Sequence, residues 1–193
     1  QNTVKNLSDH MDALEAQCVT LSGQLTEIIT DTLTANGSSF DALNNNEALI
    51  TTLEEKLYTP VYTSMHSCAC SGVFVVLNAT ANTHTSDTTS FMGLYLRYSD
   101  LNSISCANKH MVYFRGMPEI ARREQIQMHN RWNLEIDTAL IPGCEELMTA
   151  NVARLADHCI WTERIEIKDT WEDALLLLVP VLDSDGKVCG VCG

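Results

Sequence analysis

Leu175-Leu-Leu-Leu-Val-Pro-Val-Leu182, Asp183-Ser-Asp-Gly186 and Lys187-Val-Cys-Gly-Val-Cys192 form two apolar runs joined through an Asp-Gly turn. Asp and Gly tolerate the left-handed backbone of a tight hairpin turn, so this stretch predicts a pair of antiparallel strands. Within a strand, successive side chains point to opposite faces. Cys189 and Cys192 lie at an odd separation. They are therefore expected on opposite faces and read as small buried hydrophobes, not as a metal or redox pair.

Upstream, Gly72 to Leu77 and Phe91 to Tyr98 are β-rich, and the polar segment Thr80 to Ser90 between them reads as the long loop of a hairpin. His110 to Arg115 is a further extended run. Behind it, Met117-Pro118-Glu119 puts Pro at a first helical position with an acid in the first turn, which predicts a helix extending toward Arg131. A short helix is expected from about Glu145 to Leu155 and an extended segment from Cys159 to Ile167. About five strands, ordered two, one and two with helices between them, make an α+β chain with an antiparallel sheet.

The beginning of the chain is helical in pattern. Val4, Leu7, Met11, Leu14, Cys18, Leu21, Leu25 and Ile28 recur in steps of three and four, the stripe of a long amphipathic helix. Such a stripe either lies along its own domain or pairs two protomers as a homodimer, and the pattern does not separate the two. Asn36-Gly37 signals a helix end, and from Ser38 a second helix runs through Phe40, Leu43, Ile50, Leu53 and Leu57 toward Pro60. The expected organisation is stalk helices over 1–58, packed on a sheet domain over 59–193.

Of the 193 residues 45 % are hydrophobic and 19 % charged, a globular composition of a size suited to one domain. Twelve basic residues against 25 acidic ones give a formal charge of −13, which repels nucleic-acid phosphates and anionic membrane surfaces. No signal peptide and no apolar run long enough to span a bilayer is visible. The sequence opens at Gln1 without Met and closes at Gly193 inside an expected strand, as a segment of a longer protein would. Eight unevenly spaced cysteines declare no disulfide framework, and a bond from Cys68 or Cys70 to Cys106 or to another distant cysteine stays open.

Three arginines, Arg97, Arg115 and Arg131, each adjoin an aromatic residue. A guanidinium offers paired planar donors to a carboxylate or phosphate, although each of the three also suits a surface ion pair. Tyr95, Tyr113, Trp132 and Trp161 are candidate pocket walls, and equally candidates for plain core packing. In His66-Ser67-Cys68-Ala69-Cys70 the alternate residues His66, Cys68 and Cys70 would share one face of an extended strand and have zinc-like chemistry, which makes a metal-dependent hydrolase one alternative. It lacks a second ligand cluster and a recognisable general base. No Ser nucleophile elbow, phosphate-binding Gly loop or His-Glu-x-x-His helix is present, so no catalytic residue, cofactor or metal is expected.

The segment Leu178-Val-Pro-Val-Leu-Asp-Ser-Asp-Gly-Lys-Val-Cys-Gly-Val-Cys-Gly193 resembles the closing hairpin of Cache-type, PAS-like sensor domains of bacterial membrane receptors. A long first helix, Gly93-Leu-Tyr-Leu-Arg97, Val112-Tyr-Phe-Arg115, Arg131-Trp132 and Ile160-Trp161 are similar to that family in order and type. The resemblance implies a PAS-like sheet with flanking helices, exposed outside the cell membrane between membrane helices, binding an unidentified small molecule. It also implies signal transduction as the role, with a cytoplasmic output such as that of a two-component histidine kinase or a chemotaxis receptor. An Arg-x-Trp-Tyr-like element lines the ligand pocket in the family, and Arg131-Trp132-Asn133 matches it in part. The expected ligand-binding set is thus Arg131, Trp132, Tyr113, Arg115, Tyr95, Arg97 and Trp161. The structural alternative is an oligomerising coiled-coil module that binds a protein partner.

Overall fold

Helix α1 spans Asn2–Ala35 and α2 spans Glu47–Ser67, with a 3₁₀ turn at Phe40–Leu43 between them. This is a computed structural model that describes residues 2–84, 89–98, 111–167 and 172–193, with side chains at all of these except 2, 111–114, 129–133, 167 and 172. The apolar stripe of α1 divides into two parts. Cys18, Leu21, Leu25, Ile29 and Leu33 are buried against the rest of the chain, whereas Val4 and Leu7 are 75 % and 60 % exposed. No described helix is long and apolar enough to cross a membrane.

Asn46 starts α2 by accepting the Leu49 N–H on its side chain, a standard N-cap. The helix does not stop near Pro60 as predicted. Pro60 lies inside it and the helix continues to Ser67. Proline removes one intrahelical hydrogen bond, but Val61 and Met65 beyond it are fully buried, and that packing carries the helix past the break. The helix passes through residues 58 and 59 unbroken.

The strands are β1 (Gly72–Leu77), β2 (Ser90–Tyr98), β3 (Met111–Arg115), β4 (Gln127–Asn133), β5 (Glu135–Asp137), β6 (Ile160–Trp161), β7 (Ile165–Ile167), β8 (Glu172–Ala174), β9 (Leu177–Leu182) and β10 (Val188–Cys192). The main sheet runs β4-β3-β2-β1-β10-β9-β6, with β5 pairing the start of β2 and β7-β8 forming a separate ribbon. Six neighbouring strands from β3 to β6 are antiparallel, and β4 joins β3 in parallel. The α+β class with a long first helix and an antiparallel sheet is as expected, with more strands than five. The helix expected from Pro118 toward Arg131 is instead short, α3 over Pro118–Arg123, and residues 127–133 form β4. The helix expected over 145–155 is α4, Cys144–Met148, followed by a 3₁₀ turn at Leu155–His158.

The closing hairpin forms as predicted. Asp183 accepts the backbone N–H groups of Asp185 and Lys187 on Oδ1, and Gly186 takes a φ of 77°, which explains the Asp and the Gly of the turn. The opposite-face expectation for Cys189 and Cys192 fails. A register shift between Val188 and Gly190 inserts a bulge into β10, so both thiols face the helices.

Alternation along the strands divides the core into two layers. Met92, Leu94, Leu96 and Tyr98 of β2, Val73 and Val75 of β1, and Val179 and Val181 of β9 meet α1 and α2 on one side. Phe74, Val76, Leu178 and Val191 face the other side, where Ile136, Cys144 and Leu147 cover them. The buried Ser22 hydroxyl of α1 donates to the Pro180 carbonyl of β9 at 2.6 Å, fixing the helix on the sheet. Glu54 of α2 is 1 % exposed and accepts the Met117 N–H at the head of α3 at 2.9 Å.

Candidate functional site

On the sheet face turned away from α1 lies a cavity of about 90 Å³. Its floor is Phe74 of β1, Tyr95 of β2 and Arg115 of β3, and its roof comes from Ile136, Asp137, Leu140 and Ile141 around β5. Ile165, Glu166 and Leu176 close the side. Tyr95 and Arg115 are direct cross-strand partners, and the register shift next to them re-aims β3 at that point.

The Arg115 side chain is 9 % exposed, and its NH1 donates to the Glu135 carbonyl at 3.3 Å. That bond anchors the guanidinium while its edge lines the cavity. Asp137 is held from the other side: its Oδ1 accepts from the Thr89 hydroxyl at 2.6 Å and from the Ala139 N–H at 3.1 Å. Burial pushes the Tyr95 phenol up, so it stays a neutral donor and acceptor at physiological pH. The walls are thus mainly apolar, with one arginine, one phenol and two carboxylates converging. That is the usual make-up of a small-molecule pocket, although the volume restricts the occupant to a few heavy atoms.

Of the expected site residues the cavity brings together Tyr95 and Arg115. Arg97 lies on the same face of β2 two residues on, with its Cβ against Gly72, and does not line the cavity. Trp161 is elsewhere: it packs on the helix side of the sheet and donates from Nε1 to Glu15 of α1 at 2.6 Å. Its aromatic body serves the contact between α1 and β6. The side chains of Tyr113, Arg131 and Trp132 lie outside the described ones, and their backbone belongs to β3 and β4. Cys106 also lies outside the described residues.

Ile136, Asp137, Ile141 and Glu166 were not expected at a site. They come from short segments with no long period to read, and the only available signal was Phe74, which alternation along β1 places opposite Val73 and Val75.

The extended strand expected for His66 to Cys70 is not there. His66 closes the last turn of α2, and Cys68 follows as its C-cap. The imidazole packs against Tyr62 with ring centroids 4.4 Å apart and planes tilted by 58°, and its Nδ1 is 3.2 Å from the Tyr98 hydroxyl. Among the described residues no group of three His, Cys, Asp or Glu side chains is arranged to hold a metal.

A second opening, about 370 Å³, lies between the first half of α1, the end of α2 and the near end of the sheet. Leu14 and Cys18 line it from α1, Cys68 and Cys70 from the segment after α2, and Trp161 from β6. It shares Phe74, Tyr95 and Leu176 with the smaller cavity, so these side chains are the wall between the two. Compared with models of known protein families, with curated proteins and with solved structures, the chain matches none.

Proposed function

We propose that this chain is the extracytoplasmic sensing module of a membrane-anchored signal-transduction receptor, which takes a small molecule in the cavity bounded by Tyr95 and Arg115. Flanking membrane helices in the full-length protein carry the signal to a cytoplasmic output, and the module itself performs no chemistry. The observation that carries the proposal is the pairing of a cavity wall with the final strand segment. The Phe74 N–H donates to the Gly193 carbonyl at 2.9 Å, and the Gly193 N–H returns a bond to the Phe74 carbonyl at 3.0 Å. A ligand that shifts Phe74 therefore acts on the backbone next to β10, which packs under α1. The likeness of the 178–193 hairpin to Cache sensors supports the same reading. A ligand moves such an equilibrium only through differential affinity for two states, so the cavity is expected to tighten around its occupant.

An anionic ligand of a few heavy atoms would put its carboxylate on Arg115 and its apolar part against Ile136 and Ile141. In a thermal-shift screen of small carboxylates, amines and nucleobases, at least one carboxylate is expected to raise the melting temperature. Its affinity is expected to fall roughly 10-fold or more in Arg115→Met, as loss of a charge-assisted bond predicts. Ile141→Phe, which fills the cavity, is expected to abolish binding in a folded protein. Stabilisation that is indifferent to both substitutions would sink the proposed site.

A second reading rests on Val4 and Leu7 in the first turns of α1, which the described residues leave exposed. There α1 pairs with a second copy as a coiled coil. Light scattering is expected to show a dimer that Leu7→Asp converts to a folded monomer. Leu21 is 2 % exposed inside the chain's own core, so a charge there tests folding and not pairing. A wild-type monomer at high concentration would end this reading.

A further inference from the structure

The larger opening contains thiol chemistry that ligand binding does not use. Cys18 of α1 and Cys192 of β10 face each other in the helix-side core with their sulfurs 3.9 Å apart. They are 174 positions apart in sequence, and Cys192 faces the helix through its register opposite Val75 and Val179, both of the helix-side core. A disulfide needs about 2.0 Å between sulfurs, so bond formation requires the two facing thiols to move closer together. Cys18 lines the opening, while Cys192 is fully buried behind it. Cys18 is itself 7 % exposed, so the two thiols differ in position alone, one at the wall of the opening and one behind it.

We propose that Cys18 and Cys192 form a disulfide that fastens the stalk helix to the final strand, through exchange with a small disulfide that enters the opening beside α1. The Cys18 thiolate attacks one sulfur of the incoming disulfide, breaking its S–S bond and releasing one half as a thiol. The Cys192 thiolate then attacks the Cys18 sulfur of the mixed disulfide and expels the other half. Two protein thiols give up two electrons and two protons, and the incoming disulfide leaves as two thiols. The order follows from position, since Cys18 lines the opening and Cys192 lies behind it. Its hydrogen bond with Cys18, followed by burial, holds the Cys192 thiol well above its ordinary range, so it reacts only when an activated sulfur is already against it. Cys68 and Cys70 also line the opening but are separated by a single residue, and burial pushes both thiols up. The bond stands on the α1–β10 contact and does not depend on the cavity at Arg115 taking a ligand.

The test is incubation of the folded chain with oxidised glutathione, followed by intact mass and a non-reducing peptide map. The expected result is loss of the mass of two hydrogen atoms, a peptide joining Cys18 to Cys192, and a melting temperature raised on the order of 10 °C, because the bond closes a long loop. Cys18→Ala and Cys192→Ala are each expected to lose the linked peptide, and the double variant Cys68→Ala/Cys70→Ala to keep it. A map that joins other cysteines, or a Cys18 that stops as a stable glutathione adduct, would overturn the proposal. Should either alanine variant fail to fold, the map of the wild-type chain decides the question alone.

Discussion

Glu54→Gln is expected to stabilise the protein at pH 8 and to leave it nearly unchanged at pH 4.5. The Glu54 carboxyl sits in the layer between α2, β2 and α3, 1 % exposed, with Oε2 on the Met117 N–H. Its other oxygen is buried and meets no hydrogen-bond geometry among the described residues. Burial pushes its pKa up from 4.5 to about 8, the Met117 amide opposes the shift, and the nearby Glu135 charge adds to it. In the unfolded chain the same carboxyl loses its proton near 4.5. Between these values the folded state holds a proton that the unfolded state has released, so stability falls as pH rises through that window and levels off above about 8. At about 1.4 kcal/mol per pH unit the full swing is on the order of a few kcal/mol. Glutamine keeps the acceptor for Met117 and cannot ionise, so it removes the fall. Urea unfolding of both proteins at several pH values between 4.5 and 8 is the check. Parallel curves for variant and wild type would show that Glu54 is not the group responsible.

A loss of stability comparable in size to that gain is expected from Gly190→Val, and a substantial part of it from Gly190→Ala. Gly190 lies in β10 between β1 and β9, opposite Leu77 and Val181. A Cβ there would come within 2.4 Å of the Val76 carbonyl oxygen and 2.6 Å of the Leu77 side chain. The first of these contacts is backbone in a central strand and has nowhere to move. Overpacking of this kind costs about 1–3 kcal/mol in an adaptable core, and more where backbone must yield. Gly23 makes the contrast, since a Cβ on it meets nothing within 4 Å on the outer face of α1. Gly23→Ala is expected to stabilise by roughly 0.5–1 kcal/mol through helix propensity. If the two alanine variants unfolded at the same urea concentration, the tight packing of β10 against β1 would be refuted.

The sequence showed the fold most clearly where the pattern was local and long. The 175–192 hairpin, the β1 run and the α1 stripe each carry their signal within a few residues, and they form as read. Pro60 misled because a proline marks a helix end only when nothing downstream pulls the helix on, and Val61 and Met65 do. The start of α3 was read correctly at Pro118, but its end was not, because Gln125 takes a left-handed φ of 54° where Gly or Asn would have announced the stop. The bulge that turns Cys189 inward has no local signature beyond a neighbouring glycine. At the site, Arg115 and Tyr95 were legible as a charge and a ring on expected strands. Trp161 walls the larger opening and not the cavity at Arg115, a distinction that alternation does not make because it fixes a face only once the neighbours of a two-residue strand are known. Asp137, Ile141 and Glu166 depend on how short segments fold back over the sheet, which no periodicity encodes.

The position of β10 between β1 and β9 also bears on how the protein is made. On the ribosome the β1–β2 hairpin emerges long before its partner, and the β1 edge, with Val75, Val76 and Leu77, waits for residues 190–192. Until then the centre of the sheet is an open template, and the long α1 has no finished surface on which to lie. Pairing across such a sequence distance is slow, and an unpaired apolar edge is where nascent chains aggregate. Expression yield is therefore expected to depend more on growth temperature and holdase chaperones than the stability of the finished fold would suggest.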